Sequence, residues 1–320
     1  MSETLPGARR SAARVPGRNS TVALRHPLAL PDGEFVLTLR TTFVEPAYLE
    51  PDASWCVPGG EPATPLANGG AFGAKRSSPL PRAARALADE LGRPVRVLWS
   101  REDVVRHGPK RPPIAAGVRA DGTGVIRVGR TPGSPDLGPW HAAVAEAAPG
   151  FEVEEIAVPG PPVSPEIRAA GWAEAAVLLA AFEAHTAGDR GAGDPVTVVS
   201  PEGARATVAI GAGGAVSVEV RAGEVLDEVV LRSYALGAVH QALGWVRREG
   251  IAVDDAGAVL DLTIRSFGIL PAREMPHVEV TVVDAGGPPC RAGDAVLAAT
   301  AAAAWLAAGL PPAWPVERGG

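Results

Sequence analysis

The stretch Asn68-Gly69-Gly70-Ala71-Phe72-Gly73-Ala74-Lys75 decides how this chain is read. Glycine at this density lets backbone N–H groups come close to an anionic or oxo group. A plain surface turn is the competing reading of the glycines alone. Ala71 and Ala74 are small, but Ala tolerates positive φ poorly. The stretch is not a Walker sequence, because it lacks the Gly-Lys-Ser/Thr ending that cradles phosphates.

Downstream, Leu80, Ala84, Leu87 and Leu91 recur at helical spacing, with Pro81 in the first turn. Gly92 closes that helix and Pro94 forbids its continuation. Val95, Val97 and Trp99 then alternate as in a strand. Upstream, residues 57–68 are a Pro/Gly-rich loop, and Leu37, Leu39 and Thr41 alternate with polar residues as a strand. Asp121-Gly122 predicts a hairpin turn between strands near 114–120 and 125–130. Segment 131–165 is punctuated by Pro and Gly and holds one amphipathic piece near 140–148.

The spacing further predicts helices over 172–186, from Asp227 to Arg248, and over 294–308. Strands are expected near 195–200, 205–210, 215–221, 258–265 and 277–284. Val229, Leu236, Val239, Leu243 and Val246 read as the core stripe of the long helix. Helices interleaved with strands and hairpin turns imply an α+β fold of two mixed lobes. The polar, Gly-rich run Gly188–Asp194 is the expected boundary. It gives a first lobe over 21–190, a second over 191–320 and a disordered basic tail over 1–20. No sequence repeat is evident.

Composition narrows the function. A chain of 320 residues with 46% apolar and 21% charged residues can bury a large core. A net charge of −6 argues against a nucleic-acid footprint. Lys75 and Lys110 are the only lysines. Cys56 and Cys290 are too few for a disulfide framework or a cysteine-held iron–sulfur cluster in this chain, and read as buried small hydrophobes. Arg9, Arg10, Arg14 and Arg18 are followed by no apolar stretch, so the N-terminus does not read as a secretory signal. The apolar run Ala295–Ala308 would span about 21 Å as a helix, short of a hydrocarbon core of roughly 30 Å. A soluble, cytoplasmic protein with no membrane partner is expected. There is no nucleophile elbow, no dinucleotide fingerprint and no zinc-type His/Cys spacing.

Three more constellations stand out. Ile167-Arg168-Ala169-Ala170-Gly171-Trp172 places an Arg, suited to holding an oxyanion in a bidentate fork, just before a helix. On the long helix, Ser233, Gly237 and Gly244 form a smooth line beside Gln241. Near the C-terminus, Arg291-Ala292-Gly293-Asp294 opens an Ala-rich helix.

The order of these pieces resembles the molybdenum-cofactor-binding subunit of the xanthine dehydrogenase/aldehyde oxidase family, in a shortened form. The matching pieces are the Gly-Gly-x-Phe-Gly loop, Gly92-Arg93-Pro94-Val95-Arg96, the Arg168 segment, the Gly237/Gln241/Gly244 helix and the Gly293-Asp294 helix start. The resemblance implies a molybdopterin cofactor near Gly69, Gly70, Phe72, Gly73, Gly237, Gln241 and Gly244. It implies Arg168 as an oxyanion or substrate ligand and Asp294 as general base, where the family has Glu. Iron–sulfur and flavin subunits, or a second copy of the chain, are the implied partners.

The chain departs from the family in three ways. The Asp294 carboxylate reaches about 1.5 Å less far than that of Glu, and a misplacement of about 1 Å can cost roughly a hundredfold in rate. Asp294 also reads as a helix N-cap. The segments between Trp55 and Asn68 and between Val128 and Arg168 are abbreviated. Two classes therefore stay open: an oxidoreductase subunit that hydroxylates an aldehyde or N-heterocycle, and a non-catalytic paralogue that keeps the fold for binding or assembly.

Overall fold

Alternation builds the first sheet. In β1 (Leu37–Arg40) Leu37 and Leu39 are buried, and β1 pairs antiparallel with β4 (Ile114–Val118), which is buried along its whole length. The Asp121-Gly122 turn joins β4 to β5 (Gly124–Arg130), as its sequence predicts, with Gly122 at φ 82°. Helix α3 (Gly138–Ala147) then crosses to β6 (Phe151–Ala157), which lies parallel to β5. A parallel neighbour needs such a crossover. β6 falls inside the punctuated segment and shows no clean alternation, so sequence reading passes over it. The structure, a computed structural model, describes residues 24–187, 193–264 and 266–317. The tail expected over 1–20 and residues 188–192 of the expected boundary lie outside the described residues.

The second sheet repeats the plan. β7 (Val196–Val199), β8 (Arg205–Ile210) and β9 (Val216–Arg221) form an antiparallel meander. The long helix α5 (Glu228–Arg247) then crosses to β10 (Val278–Val283), which is parallel to β9. The orders β1-β4-β5-β6 and β10-β9-β8-β7 are thus the same arrangement of two antiparallel pairings and one parallel pairing. Each fourth strand leads to a helix: α4 (Trp172–Thr186) after β6 and α6 (Gly293–Ala307) after β10. This α+β topology recurs without a sequence repeat, because hydrophobic pattern and turn chemistry specify it and residue identity does not.

The two sheets differ between their first two strands. β7 and β8 meet through a tight turn, whereas residues 41–113 separate β1 from β4. That insertion holds β2 (Ala53–Cys56), α1 (Leu80–Leu91), β3 (Val95–Leu98) and α2 (Arg101–His107), and with them the Gly-rich loop. Cys56, Ala84 and Ala88 form its own small core. The main core is continuous across both sheets and buries α6 from Ala295 to Trp305.

Two expectations are corrected. Residues 258–265 form no strand among the described residues. Val259 makes an isolated bridge to Val253, and Asp261 is drawn inward to accept the Ala252 N–H at 2.8 Å. On α5, Val239, Leu243 and Val246 are buried, but Val229 and Leu236 are 77% and 41% exposed. The buried face runs instead through Ala235, Ala238, Ala242 and Trp245, because small residues let α5 approach the Ala-rich α6 closely. Cys290 is half-buried, and no helix among the described residues is long and apolar enough to cross a membrane.

Candidate functional site

Helices α4 and α6 pack together, and the segments entering them meet. Arg168 precedes α4; Gly293 and Asp294 open α6. The Arg168 guanidinium donates through Nε to Asp294 Oδ1 at 2.9 Å and through Nη1 to Gln241 Oε1 at 3.0 Å. Its Nη2 lies 1.7 Å from where a Cβ on Gly293 would be, so a larger residue there would displace the end of the Arg168 side chain. Its guanidinium carbon is 5.5 Å from the centre of the Phe72 ring, a cation–π distance. The Arg168 N–H donates to Phe72 O at 2.7 Å. Phe72, Arg168, Gln241 and Asp294, spread over four segments, are therefore in one place.

The loop that carries Phe72 is conformationally unusual. Gly70, Ala71, Phe72 and Gly73 all have positive φ, at 87°, 70°, 41° and 103°. For Ala71 and Phe72 this costs about 1–2 kcal/mol each. Surrounding bonds hold the conformation: Ala71 N–H to Ala47 O at 3.2 Å, and Lys75 Nζ to Gly69 O at 2.8 Å.

Arg168 is backed by a buried pair that sequence reading missed. Arg111 grips Glu174 through Nε and Nη2 at 2.8 and 3.0 Å and donates from Nη1 to Arg168 O at 2.9 Å. Its guanidinium stacks 4.2 Å from the Trp245 ring. Glu174 also accepts the Gly171 N–H at 2.8 Å, capping α4. The spacing of Glu174 three residues after Gly171 was the available signal.

Both lysines are buried, Lys75 at the end of the loop and Lys110 against Glu45. Lys110 is fully buried, 3.1 Å from Glu45, and Lys75 is 2% exposed. Burial pulls both ammonium groups below the usual lysine range, against carboxylates that favour their charge. The same burial raises Glu45 and Asp52. Glu249, also buried, is pushed up to about 8 by desolvation and then by the nearby Glu45.

The glycines named from sequence have unlike surroundings. A Cβ on Gly70 would lie 2.4 Å from Leu49 N, on Gly73 1.9 Å from Glu166 O, and on Gly244 1.9 Å from Glu249 Oε1. The chain's own atoms occupy the space beside all three. Gly69 and Gly237 face open space. Asp294 is not an N-cap: α6 starts at Gly293 after Ala292, with no side-chain cap, and the Asp294 carboxylate turns to Arg168. A cavity of about 750 Å³ opens nearby, lined by Arg76, His107, Asp136 and Glu166 among others, but Arg168, Gln241 and Asp294 do not line it.

No family model and no curated protein matches this sequence. Solved structures do match. The aldehyde oxidoreductase from Desulfovibrio desulfuricans ATCC 27774 aligns over 83% of this chain and 58% of its own, with 10% identity and a TM-score of 0.54. Quinoline 2-oxidoreductase from Pseudomonas putida 86 aligns over 88% of this chain and 75% of its own, with 10% identity and a TM-score of 0.46. The Cu,Mo-CO dehydrogenase aligns over 58% of this chain and 33% of its own, with 13% identity and a TM-score of 0.27. The chain thus spans less than two thirds of the aldehyde oxidoreductase. The fold is similar to those of molybdenum hydroxylase subunits.

Proposed function

We propose that the chain keeps a molybdenum-hydroxylase-like fold as a non-catalytic binding or assembly subunit, with the place expected for a cofactor taken by its own side chains. One observation carries this reading: Asp294, the carboxylate expected to serve as base, is bonded to Arg168, the group expected to hold the oxyanion. A guanidinium that already donates to Asp294 and to Gln241 keeps fewer N–H groups for a substrate oxyanion. Gln241 takes a second nitrogen of the same guanidinium, and Glu249 fills the groove beside Gly244. Arranged so, these residues do not fit a bound pterin.

A second reading has one observation in its favour. The convergence of Phe72, Arg168, Gln241 and Asp294 is what a molybdopterin-dependent oxidoreductase subunit would require. In that reading Asp294 is the base, and iron–sulfur and flavin chains take the electrons.

Protein purified from a host that makes the cofactor separates the two. Molybdenum well below one per chain, with no dye-coupled oxidation of aldehydes or N-heterocycles, is expected. Near-stoichiometric molybdenum, with turnover abolished by Asp294→Asn, would overturn the non-catalytic reading.

A further inference from the structure

β1 and β7 hold the same place in their sheets: each is the outer strand, antiparallel to its neighbour, at the end opposite the parallel pair. In the first sheet the Thr41 N–H donates to Ile114 O, so odd-numbered residues face β4 and Arg40 faces outward. At Arg40 that outer edge is met by the chain itself. Arg40 N–H donates to Pro312 O at 2.9 Å, and Trp314 N–H donates to Arg40 O at 2.8 Å.

In the second sheet the Ser200 N–H donates to Ala204 O at 2.8 Å. By the same parity Val196 and Val198 face β8, and the N–H and C=O groups of Thr197 and Val199 point outward. Among the described residues no backbone group meets them, and Val199 is 55% exposed. A groove of about 290 Å³ runs between this edge and the outer face of α4, with Ala176, Leu179 and Ala180 on its wall. Ser200 also lines it. That residue is only 6% exposed, and its hydroxyl has no partner among the described residues. Glu146 and Glu183 stand exposed on the rim, without an ion-pair partner among the described residues.

We propose that this groove docks an extended, basic segment of a partner protein, which adds to β7 as a fifth strand. Main-chain bonds to Thr197 and Val199 would hold it, alternate side chains would enter the groove, and Arg or Lys would reach Glu146 and Glu183. At Arg40 the equivalent edge of β1 already takes main-chain bonds of this kind, from Pro312 and Trp314. The inference does not depend on which reading of the Arg168–Asp294 site holds.

The whole chain is titrated with fluorescein-Val-Arg-Val-Arg-Val-amide, labelled at its N-terminal amine and read by anisotropy. Saturable binding is expected, weakened about tenfold by Glu146→Lys/Glu183→Lys at an unchanged melting temperature. A fully backbone-N-methylated peptide should bind at least about tenfold more weakly, since it cannot donate to the edge. Thr197→Pro, which removes one outward N–H and none of the ladder to β8, should weaken binding as well. No binding, equal binding by the charge-reversed protein, or equal binding of the methylated peptide would overturn the proposal. So would tighter peptide binding when Arg9, Arg10, Arg14 and Arg18 are all changed to Ser in the full chain, which would give the groove to the chain's own N-terminal residues. A concentration-dependent dimer that Thr197→Pro dissolves would give the edge to a second copy, and would overturn it too.

Discussion

Arg168 Nε and Asp294 Oδ1 stand 2.9 Å apart although 126 positions separate them in sequence. One residue leads into α4 and the other opens α6, the helices that follow the fourth strand of each sheet. The pair therefore ties together equivalent points of two sheets built to one plan.

Removing Arg168 tests that tie. Arg168→Ala strands Gln241 and Asp294 and strips the Phe72 ring, and should cost about 1–2 kcal/mol in urea unfolding. The Asp294 side chain is 37% exposed, so solvent screens the pair. A double-mutant cycle with Asp294→Ala should give a coupling of only about 0.5–1 kcal/mol. A coupling of zero would mean that the two merely lie close.

The glycines should separate by what surrounds them. Gly73→Ala combines φ 103° with a backbone carbonyl that cannot yield, and should cost about 2–4 kcal/mol. Gly244→Ala meets only the end of the Glu249 side chain, so Glu249→Ala should rescue most of its cost. Gly237 sits mid-helix in open space, and Gly237→Ala should raise stability by about 0.5–1 kcal/mol. Thermal unfolding of the three variants side by side decides the ranking.

Glu249 makes stability depend on pH in a stated direction. Its carboxyl has an ordinary value of 4.5, and burial beside Glu45 carries it to about 8 in the folded protein. Between those values the folded protein keeps a proton that the unfolded chain has released, so raising the pH favours unfolding. This contribution is complete below about pH 4.5 and is lost as pH rises to about 8, at no more than about 1.4 kcal/mol per pH unit. Glu249→Gln should flatten that slope and melt higher than wild type at pH 8. Parallel curves for the two proteins would show that Glu249 titrates normally.

Both lysines should be chemically silent in the folded chain. Lys75 and Lys110 are 2% and 0% exposed and the sequence has no others. Acylation with an amine-reactive ester should leave both unmodified under native conditions and modify both in denaturant, as read by peptide mass spectrometry. Native labelling of Lys110 would mean that its pair with Glu45 opens to solvent.

Sequence alone determined the elements with strong periodicity and clear stop signals. Gly92 and Pro94 ended α1, Asp121-Gly122 turned β4 into β5, and the spacing gave α4, α5 and α6 nearly to their ends. It also singled out the loop at Phe72, Arg168, Gln241 and Asp294, which the fold brings together. Only the tertiary structure decided which face of α5 is buried, because Val229 and Leu236 satisfy the helical pattern but lie where no neighbour covers them. It alone decided that Asp294 bonds Arg168 instead of capping its helix, and that Glu249 fills the space beside Gly244. Periodicity records the local spacing of side chains along one element. What lies against that element is set by partners far away in the chain, and no local pattern carries their positions.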